Sequence, residues 1–480
     1  MIRTVRERLT ILLLALLPFH ALLVTAGTKL IAGPGHAPLA VLALWKEFLL
    51  GIIVLLVVLE WMSKKWKVES GKRFTFDAID TLIIALLVLS AVVTVMMRVD
   101  VKTALYGFKY DFLPLVAFLV ARRVVWSERF LSLVGHILLV VGCVVATYGI
   151  VGFLLPQKFF LWLGYSSVHS LYFADGPLAA FQQIGDTSLR RIQSSMSGPN
   201  QLGLWLLIPW CVVLVRLLKE RRWILLLPLG LIGLALLLSF SRSAFLGGFV
   251  ATLVMLRIGL PPRIGKKVFL GFLTGCVALG IVLVLLFPQV FWRLGSTRGH
   301  LTRPILAMQE VLRNPLGQGL GMAGPASTHL RDTCVFLRAQ DDPAWAKNIP
   351  KLCVFVGGVK VQPADRECVC PNLPENWYIQ IGVEMGVIGF VLFLLLVSLL
   401  LRRLGSGKWK VQKHSASSKP LSTSLLSTEY FSLRSAVFLS FLALSIAALF
   451  LHAWEDSAVA YTVWLLMAFL ISSVPLDRDH

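Results

Sequence analysis

Two adjacent arginines, Arg190 and Arg191, precede a Ser-Gly-Pro turn, and a helix capped by Asn200 is predicted to follow. A guanidinium group presents a planar fork that matches phosphate oxygens. The start of a helix adds partial positive charge to such a site. The pattern indicates an anion site that includes Asn200. A solvated pair of loop arginines beside a simple helix cap is the alternative.

A carboxylate and an amide, Glu375 and Asn376, lie where a polar stretch meets a long apolar run. Glutamate is ionised at neutral pH, and it can remove a proton from a hydroxyl group within hydrogen-bond reach. We therefore expect Glu375 to act as a general base and Asn376 to contact the substrate. His300 and His329 in the preceding stretch are the alternative bases.

Two further arginines lie beside apolar segments. Arg242 interrupts the apolar stretch 236–248, where it either reaches the lipid head groups or contacts a substrate phosphate. Arg303 lies near the start of an amphipathic helix predicted over 303–313, which stops at Asn314-Pro315. Such a helix lies on a membrane surface or on a helical bundle.

Charged side chains also fall inside or at the ends of apolar segments. Lys46 and Lys109 lie within them, and Arg98 lies at an end. Charges at such depths pair with one another or line a polar cavity. Lys46, Arg98 and Lys109 are therefore candidate substrate-binding residues, with structural ion pairing as the alternative.

The sequence predicts no metal site and no cofactor. His452, Glu455 and Asp456 are close in sequence, but no matching third cluster of ligands accompanies them. The outer loops also contain no Asp-x-Asp pattern. The candidate site is therefore built from arginines, a carboxylate and amides.

The elements that position these residues are membrane-spanning helices. The chain has 480 residues, of which 57% are hydrophobic and 15% charged, and its mean hydropathy is +0.79. Stretches of about 18 or more apolar residues indicate spanning helices. About twelve are predicted: 10–32, 39–61, 78–96, 104–121, 130–153, 200–218, 223–240, 243–258, 268–287, 377–401, 435–452 and 459–475. The fold class is an all-α polytopic membrane protein.

The basic residues that give the chain its net charge of +21 are distributed unevenly between the two predicted sides of the membrane. Lysines and arginines cluster in alternate loops, whereas the short loops 33–38 and 453–458 contain none. This positive-inside pattern predicts that both termini are cytoplasmic and that the basic loops contact anionic lipid. A nucleic-acid partner is not predicted, because no aromatic-basic recognition module is present.

The predicted organisation has three parts. Residues 1–287 hold helices one to nine and an outer loop at 154–199, and residues 288–376 form a large outer loop. Residues 377–480 hold helices ten to twelve and a cytoplasmic linker at 402–434. Four cysteines lie in the large loop, Cys334, Cys353, Cys368 and Cys370. Two disulfides are expected, each joining Cys368 or Cys370 to Cys334 or Cys353. A four-cysteine zinc site is the alternative.

Several motifs occur together in one order. Arg191 precedes a Gly-Pro-Asn turn, Ser-Arg-Ser follows a leucine run at 241–243, Arg303 precedes "NPLGQGLG", and "ENWYIQIGVEMGVIG" opens the next span. With the topology, this pattern resembles the bacterial superfamily of O-antigen ligases, O-antigen polymerases and O-oligosaccharyltransferases. The resemblance covers roughly 180–475 by motif and the whole chain by topology.

The resemblance implies a membrane glycosyltransferase of lipopolysaccharide and cell-envelope biosynthesis, with a GT-C-like fold. Such an enzyme takes a glycan from undecaprenyl pyrophosphate at the periplasmic face of the inner membrane. It transfers the glycan to a hydroxyl group on a lipid A core, a glycan or a protein, inverting and without a metal. Arg191 and Arg303 would hold the pyrophosphate, and Glu375 would activate the acceptor. The family has His-Asn where this chain has Glu375-Asn376.

Two rival functions remain open. One is a polysaccharide polymerase of the same superfamily. The other is a non-catalytic transporter or binding protein for lipid-linked glycans, in which the charges inside the membrane would serve transport. A transporter is expected to show an internal repeat, and the sequence shows none.

Overall fold

The architecture comes from a computed structural model that describes residues 2–33, 36–65, 76–165, 184, 189–286, 288, 294–329, 331–337, 339, 342–344, 352–406 and 421–471. It is 75% helical. Apolar helices form its body, as expected for a chain in which every backbone polar group must be satisfied within the lipid. The chain is therefore a polytopic helical membrane protein.

Between residues 2 and 165, the described part of the chain contains eight helices. They are α1 (Ile2–Leu16), α2 (His20–Ala32), α3 (Ala40–Lys65), α4 (Ala78–Met96), α5 (Val101–Gly107), α6 (Leu113–Ala121), α7 (Glu128–Leu154) and α8 (Gln157–Trp162). A 3₁₀ turn at Leu17–Phe19 joins α1 to α2, and a π-helical turn at Phe108–Phe112 joins α5 to α6. Each of these two pairs forms one continuous apolar unit.

From residue 199 onward, the described part of the chain contains eight more helices. They are α9 (Pro199–Glu220), α10 (Leu226–Ser239), α11 (Arg242–Gly259), α12 (Pro262–Leu286), α13 (Leu294–Arg313), α14 (Trp377–Gly405), α15 (Leu421–Ala447) and α16 (Ser457–Leu470). Within the described part of the chain, nine apolar helical units are long enough to cross a membrane. Three shorter apolar helices, Trp223–Ser239, Ser432–Ala447 and Ser457–Leu470, coincide with the other three predicted spans.

The core is centred on α9, whose apolar window is 78% buried. It packs against α7, α10, α11 and α15. Helix α16 is also enclosed, because every residue from 458 to 470 is buried. Helix α12, in contrast, has none of its apolar window buried, so its surface is available to lipid.

Two predicted boundaries were wrong. The linker predicted at 402–434 is helical at both ends, because α14 continues to Gly405 and α15 begins at Leu421; residues 407–420 lie outside the described part. Helix α13 begins at Leu294 rather than near Arg303. Arg303 therefore lies in the middle of an amphipathic helix, which ends at Arg313 as Asn314-Pro315 predicts.

The large outer loop carries a small sheet, which the all-α prediction did not include. Strand β1 (Thr333–Leu337) pairs in parallel with β2 (Leu352–Val356), and β2 pairs antiparallel with β3 (Val359–Gln362). Disulfides join Cys334 to Cys370 and Cys353 to Cys368. The expectation of two disulfides is confirmed, and the sulfur atoms are not available as zinc ligands.

Helix α14 is interrupted at Gly386, where φ is 70° and ψ is −170°. The loop after α13 fills the break. Val387 N–H donates to the Pro315 carbonyl at 3.0 Å, and Gly319 N–H donates to the Glu384 carbonyl at 2.8 Å. The loop thus satisfies backbone groups that the broken helix leaves unpaired.

Buried ion pairs lie at the end of the bundle that carries the N-terminus. Arg6 contacts Glu60 at 2.8 Å, and Arg122 contacts Asp77 and Asp80, each at 2.8 Å. Arg122 also donates to the Ile471 carbonyl at the end of the described chain. These contacts tie residues near both ends of the sequence to one face of the bundle.

Candidate functional site

Glu375 and Arg303 are in direct contact. Arg303 Nη1 on α13 lies 2.6 Å from Glu375 Oε1, and the two side chains are 45% and 20% exposed. Glu375 immediately precedes α14 and has a left-handed backbone, with φ at 55°. A non-glycine residue rarely adopts this conformation without a compensating contact. The structure therefore holds this carboxylate in a defined place beside a guanidinium group.

Two histidines complete the surroundings of the carboxylate. His300, on α13, places Nδ1 3.5 Å from Glu375 Oε2. His452 lies in the loop between α15 and α16 and accepts a 3.3 Å hydrogen bond from Glu375 N–H through Nε2. Its Nδ1 contacts Gln380 Oε1. His452 therefore carries its proton on Nδ1, and it stabilises the unusual backbone of Glu375.

Burial lowers the pKa of both imidazoles. The pKa of His452 falls to about 3, mainly because the ring is buried, and the positive charge of Arg303 adds to the effect. Burial also lowers the pKa of His300, and the charges of Arg242 and Arg303 lower it further. The charge of Glu375 and a hydrogen bond with the Phe450 backbone oppose that shift.

Asn376 is the N-cap of α14. Its side-chain oxygen accepts from Ile379 N–H at 3.1 Å, and its amide nitrogen donates to the Leu449 carbonyl at 2.9 Å. Trp377 N–H also donates to the Ala448 carbonyl at 2.9 Å. The start of α14 is thereby fixed to the loop after α15. The contacts of Asn376 are those of a positioning residue.

Arg191 and Asn200 are in contact on another part of the bundle. Arg191 Nη2 donates to Asn200 Oδ1 at 2.7 Å, and Nε donates to the Ser239 carbonyl at 2.9 Å. The prediction that Asn200 caps α9 was wrong, because Gly198 occupies the N-cap position. The Asn200 side chain faces Arg191 instead, so the predicted association of these two residues has a different geometric basis.

Arg242 begins α11, directly after the turn that includes Ser239. Its positive charge is one of the causes that lower the pKa of His300. Among the predicted residues of the diphosphate site, Arg303 contacts Glu375 directly.

Arg190 has extensive structural contacts. Its Nη2 donates to the carbonyls of Leu155, at 2.9 Å, and Phe153, at 3.2 Å, near the end of α7. The guanidinium carbon lies 4.9 Å from the ring centre of Phe160. These contacts favour the structural alternative for Arg190, since its donors already serve the α7–α8 connection.

Lys46 and Lys109, two of the predicted charges in apolar segments, share one carboxylate partner. Glu47 Oε1 lies 3.1 Å from the ammonium nitrogens of both Lys46 and Lys109. Lys46 also contacts His20 Nε2 at 3.0 Å. Ion pairing accounts for both lysines. Arg98 is exposed and lies in the turn after α4, with φ at 53°.

A buried polar cluster around Gln380 and Glu384 of α14 was not predicted from the sequence. Gln380 Nε2 donates to Asp111 Oδ1 at 3.3 Å and to Glu455 Oε1. Glu384 Oε1 accepts from Gly321 N–H at 3.0 Å. The burial of Glu455 raises its pKa well above the usual value. The available signal was the spacing of Gln380 and Glu384, which places two polar residues one helical turn apart within an apolar span.

No protein-family model matches the chain, and no characterised protein matches it significantly.

Proposed function

We propose that this protein is a membrane glycosyltransferase. It moves a glycan from an undecaprenyl pyrophosphate carrier to an acceptor hydroxyl group at the periplasmic face of the bacterial inner membrane. The ion pair between Arg303 and Glu375, at the entrance to α14, is the observation that carries the proposal. The activity is that of an O-antigen ligase: inverting, with no metal or cofactor, and with a lipid or glycan acceptor similar to a lipid A core.

The arginines suit a diphosphate leaving group. Arg303 uses Nη1 for Glu375 and is 45% exposed, so the rest of its guanidinium group is accessible. Negative charge on the pyrophosphate grows as its bond to the sugar breaks, and fixed cations stabilise that charge. In the proposed site Arg303 and Arg191 bind the diphosphate, while Arg242 adds positive charge.

Glu375 suits the activation of an acceptor. It precedes a helix that is fixed by Asn376, and its backbone is held by His452. A general base must be held within hydrogen-bond reach of the hydroxyl group from which it takes the proton. In the proposed reaction the acceptor oxygen attacks the anomeric carbon, the proton passes to Glu375, and the pyrophosphate leaves with the bonding electron pair.

The proposed topology has twelve spans with both termini in the cytoplasm. The three short apolar helices would complete the nine longer ones. The outer loop with its disulfides would then be periplasmic, an oxidising compartment in which disulfides persist. The apolar surface of α12 and the basic cytoplasmic loops would contact membrane lipids.

The variant Glu375→Gln tests the proposal in purified protein with a polyprenyl-pyrophosphate glycan and candidate acceptors. We expect transfer to fall roughly 10²- to 10⁴-fold, the usual contribution of an acid–base group, while donor binding persists. Glu367→Gln is the matched control, because Glu367 is an exposed carboxylate in the same outer loop.

The same assay separates the rival functions. A product that grows by repeated addition would indicate a polymerase. Donor binding without transfer by the unmodified protein, across all acceptors, would indicate a binding protein or transporter. Full transfer by Glu375→Gln would refute the proposed role of the carboxylate.

A further inference from the structure

The carboxylate at the proposed site has an unexplained neighbour. His300 Nδ1 is buried and makes no hydrogen bond with any residue that the structure describes. A neutral imidazole has one N–H group and one nitrogen lone pair, so Nδ1 is an acceptor in the tautomer that carries its proton on Nε2.

The lone pair of His300 faces a second acceptor. Nδ1 lies 3.5 Å from Glu375 Oε2, and both atoms are acceptors when the imidazole is neutral and the carboxylate is charged. The other carboxylate oxygen is held by Arg303 at 2.6 Å. A proton that reaches Glu375 can then be shared with Nδ1, which converts two facing acceptors into a charge-assisted hydrogen bond.

We propose that His300 and Glu375 act as one proton-accepting pair, in which Glu375 meets the acceptor hydroxyl group and His300 takes up the proton. This inference rests on the proposed function and assigns a catalytic role to a histidine on α13. An imidazole would then act at the acceptor site, even though this chain has Glu375 before Asn376 where the resembled family has a histidine.

The proton balance of the step is complete. The acceptor oxygen forms a bond to the anomeric carbon, and the bond between that carbon and the phosphate oxygen breaks. The leaving pyrophosphate keeps the electron pair. The acceptor proton moves to Glu375 Oε2 and then to His300 Nδ1, so the pair ends as an imidazolium beside a carboxylate.

Charged and titratable groups from three elements surround the pair. Arg303 lies on α13 and Arg242 begins α11, and both charges lower the pKa of His300. His452 from the α15–α16 loop is neutral at physiological pH because its pKa is about 3. The imidazole lone pair stabilises the proton once it has been transferred.

The variant His300→Gln tests the catalytic role. The glutamine amide keeps an N–H donor, but it has no imidazole lone pair. We expect transfer at pH 7 to fall on the order of 10- to 100-fold, within the lower range for acid–base groups. The acidic limb of the pH–rate profile should move to lower pH, since the remaining carboxylate takes up a proton less readily than the pair. His136→Gln, on α7, is the control for loss of a histidine.

A second measurement tests the pair without any assay of transfer. In protein labelled with ¹⁵N-histidine, the signal absent from His300→Gln identifies His300. Its pKa should fall in Glu375→Gln, because the negative charge that favours the imidazolium is removed. An unchanged titration of His300 in this variant would overturn the pair.

The two proposals can fail separately. If the titration shifts but His300→Gln keeps the rate and pH profile of the unmodified protein, His300 has no catalytic role and the glycosyltransferase proposal stands. If the unmodified protein binds the donor but transfers no glycan, the proposed function fails and the catalytic role of the pair fails with it.

Discussion

In the proposed site Arg303 makes two kinds of contact that a lysine could not make together. One guanidinium nitrogen contacts Glu375, and the other nitrogens would bind the donor phosphate. Lysine offers a point charge instead of a planar fork. For Arg303→Lys we expect the donor KM to rise roughly 10- to 100-fold, which corresponds to the loss of about 1.5–3 kcal/mol for a hydrogen bond to a charged group. Steady-state kinetics with varied donor concentration measure this change.

Arg366→Lys is the matched control for that prediction. Arg366 is 41% exposed and contacts Asp332 at 2.8 Å, so it forms a similar ion pair in the same outer loop. We expect its donor KM to stay within twofold of the unmodified value. Equal effects of the two substitutions would contradict a specific role for Arg303.

The sequence singled out individual residues of the candidate site but not the contacts between them. The positive charge of Arg303 and the carboxylate of Glu375 were both identified, but 71 residues separate them along the chain, and only the fold brings them together. The structural role of Arg190 was not predictable either, because its acceptors are carbonyls at the end of α7. Carbonyl groups carry no residue-specific signal in a sequence.

Helix α14 depends on a glycine at its break. Gly386 has a backbone conformation that is essentially restricted to glycine, and an added Cβ would collide with the Pro315 carbonyl oxygen. We expect Gly386→Ala to reduce the free energy of unfolding by about 1–3 kcal/mol from backbone strain alone. Thermal unfolding of the detergent-purified protein measures the loss.

Gly280→Ala is the control, because α12 has open space around the corresponding Cβ position. A helix gains about 0.5–1 kcal/mol when alanine replaces glycine, so this variant should melt at or above the temperature of the unmodified protein. Equal melting temperatures for Gly386→Ala and the unmodified protein would show that the break in α14 has no structural importance.

At the scale of elements, hydropathy located the apolar helices and the amphipathic pattern located α13. Neither pattern could reveal the sheet. Strands β1, β2 and β3 have at most five residues each, and disulfides stabilise the region that contains them. The break in α14 was also hidden, since an isolated glycine in an apolar run is equally compatible with a continuous helix. These features depend on contacts with distant segments of the chain.

The two ends of the bundle differ in the charged residues that they carry. The Arg6–Glu60 and Arg122–Asp80 pairs are buried at the end that carries the N-terminus, and the predicted cytoplasmic loops supply most of the net charge of +21. The Arg303–Glu375 pair lies beside the disulfide-bearing loop instead. The proposed reaction therefore requires that this loop and Ser406, after α14, lie on opposite sides of the membrane.

Single cysteines at Val359 and Ser406 test that arrangement in a background without Cys143, Cys211 and Cys276. Both positions are exposed, so a maleimide reagent that cannot cross membranes reaches either one from the correct side. In spheroplasts we expect labelling of Val359→Cys alone, and labelling of Ser406→Cys only after lysis. Labelling of both before lysis, or of Ser406→Cys alone, would contradict the topology, because the carboxylate would then face a compartment without the acceptor.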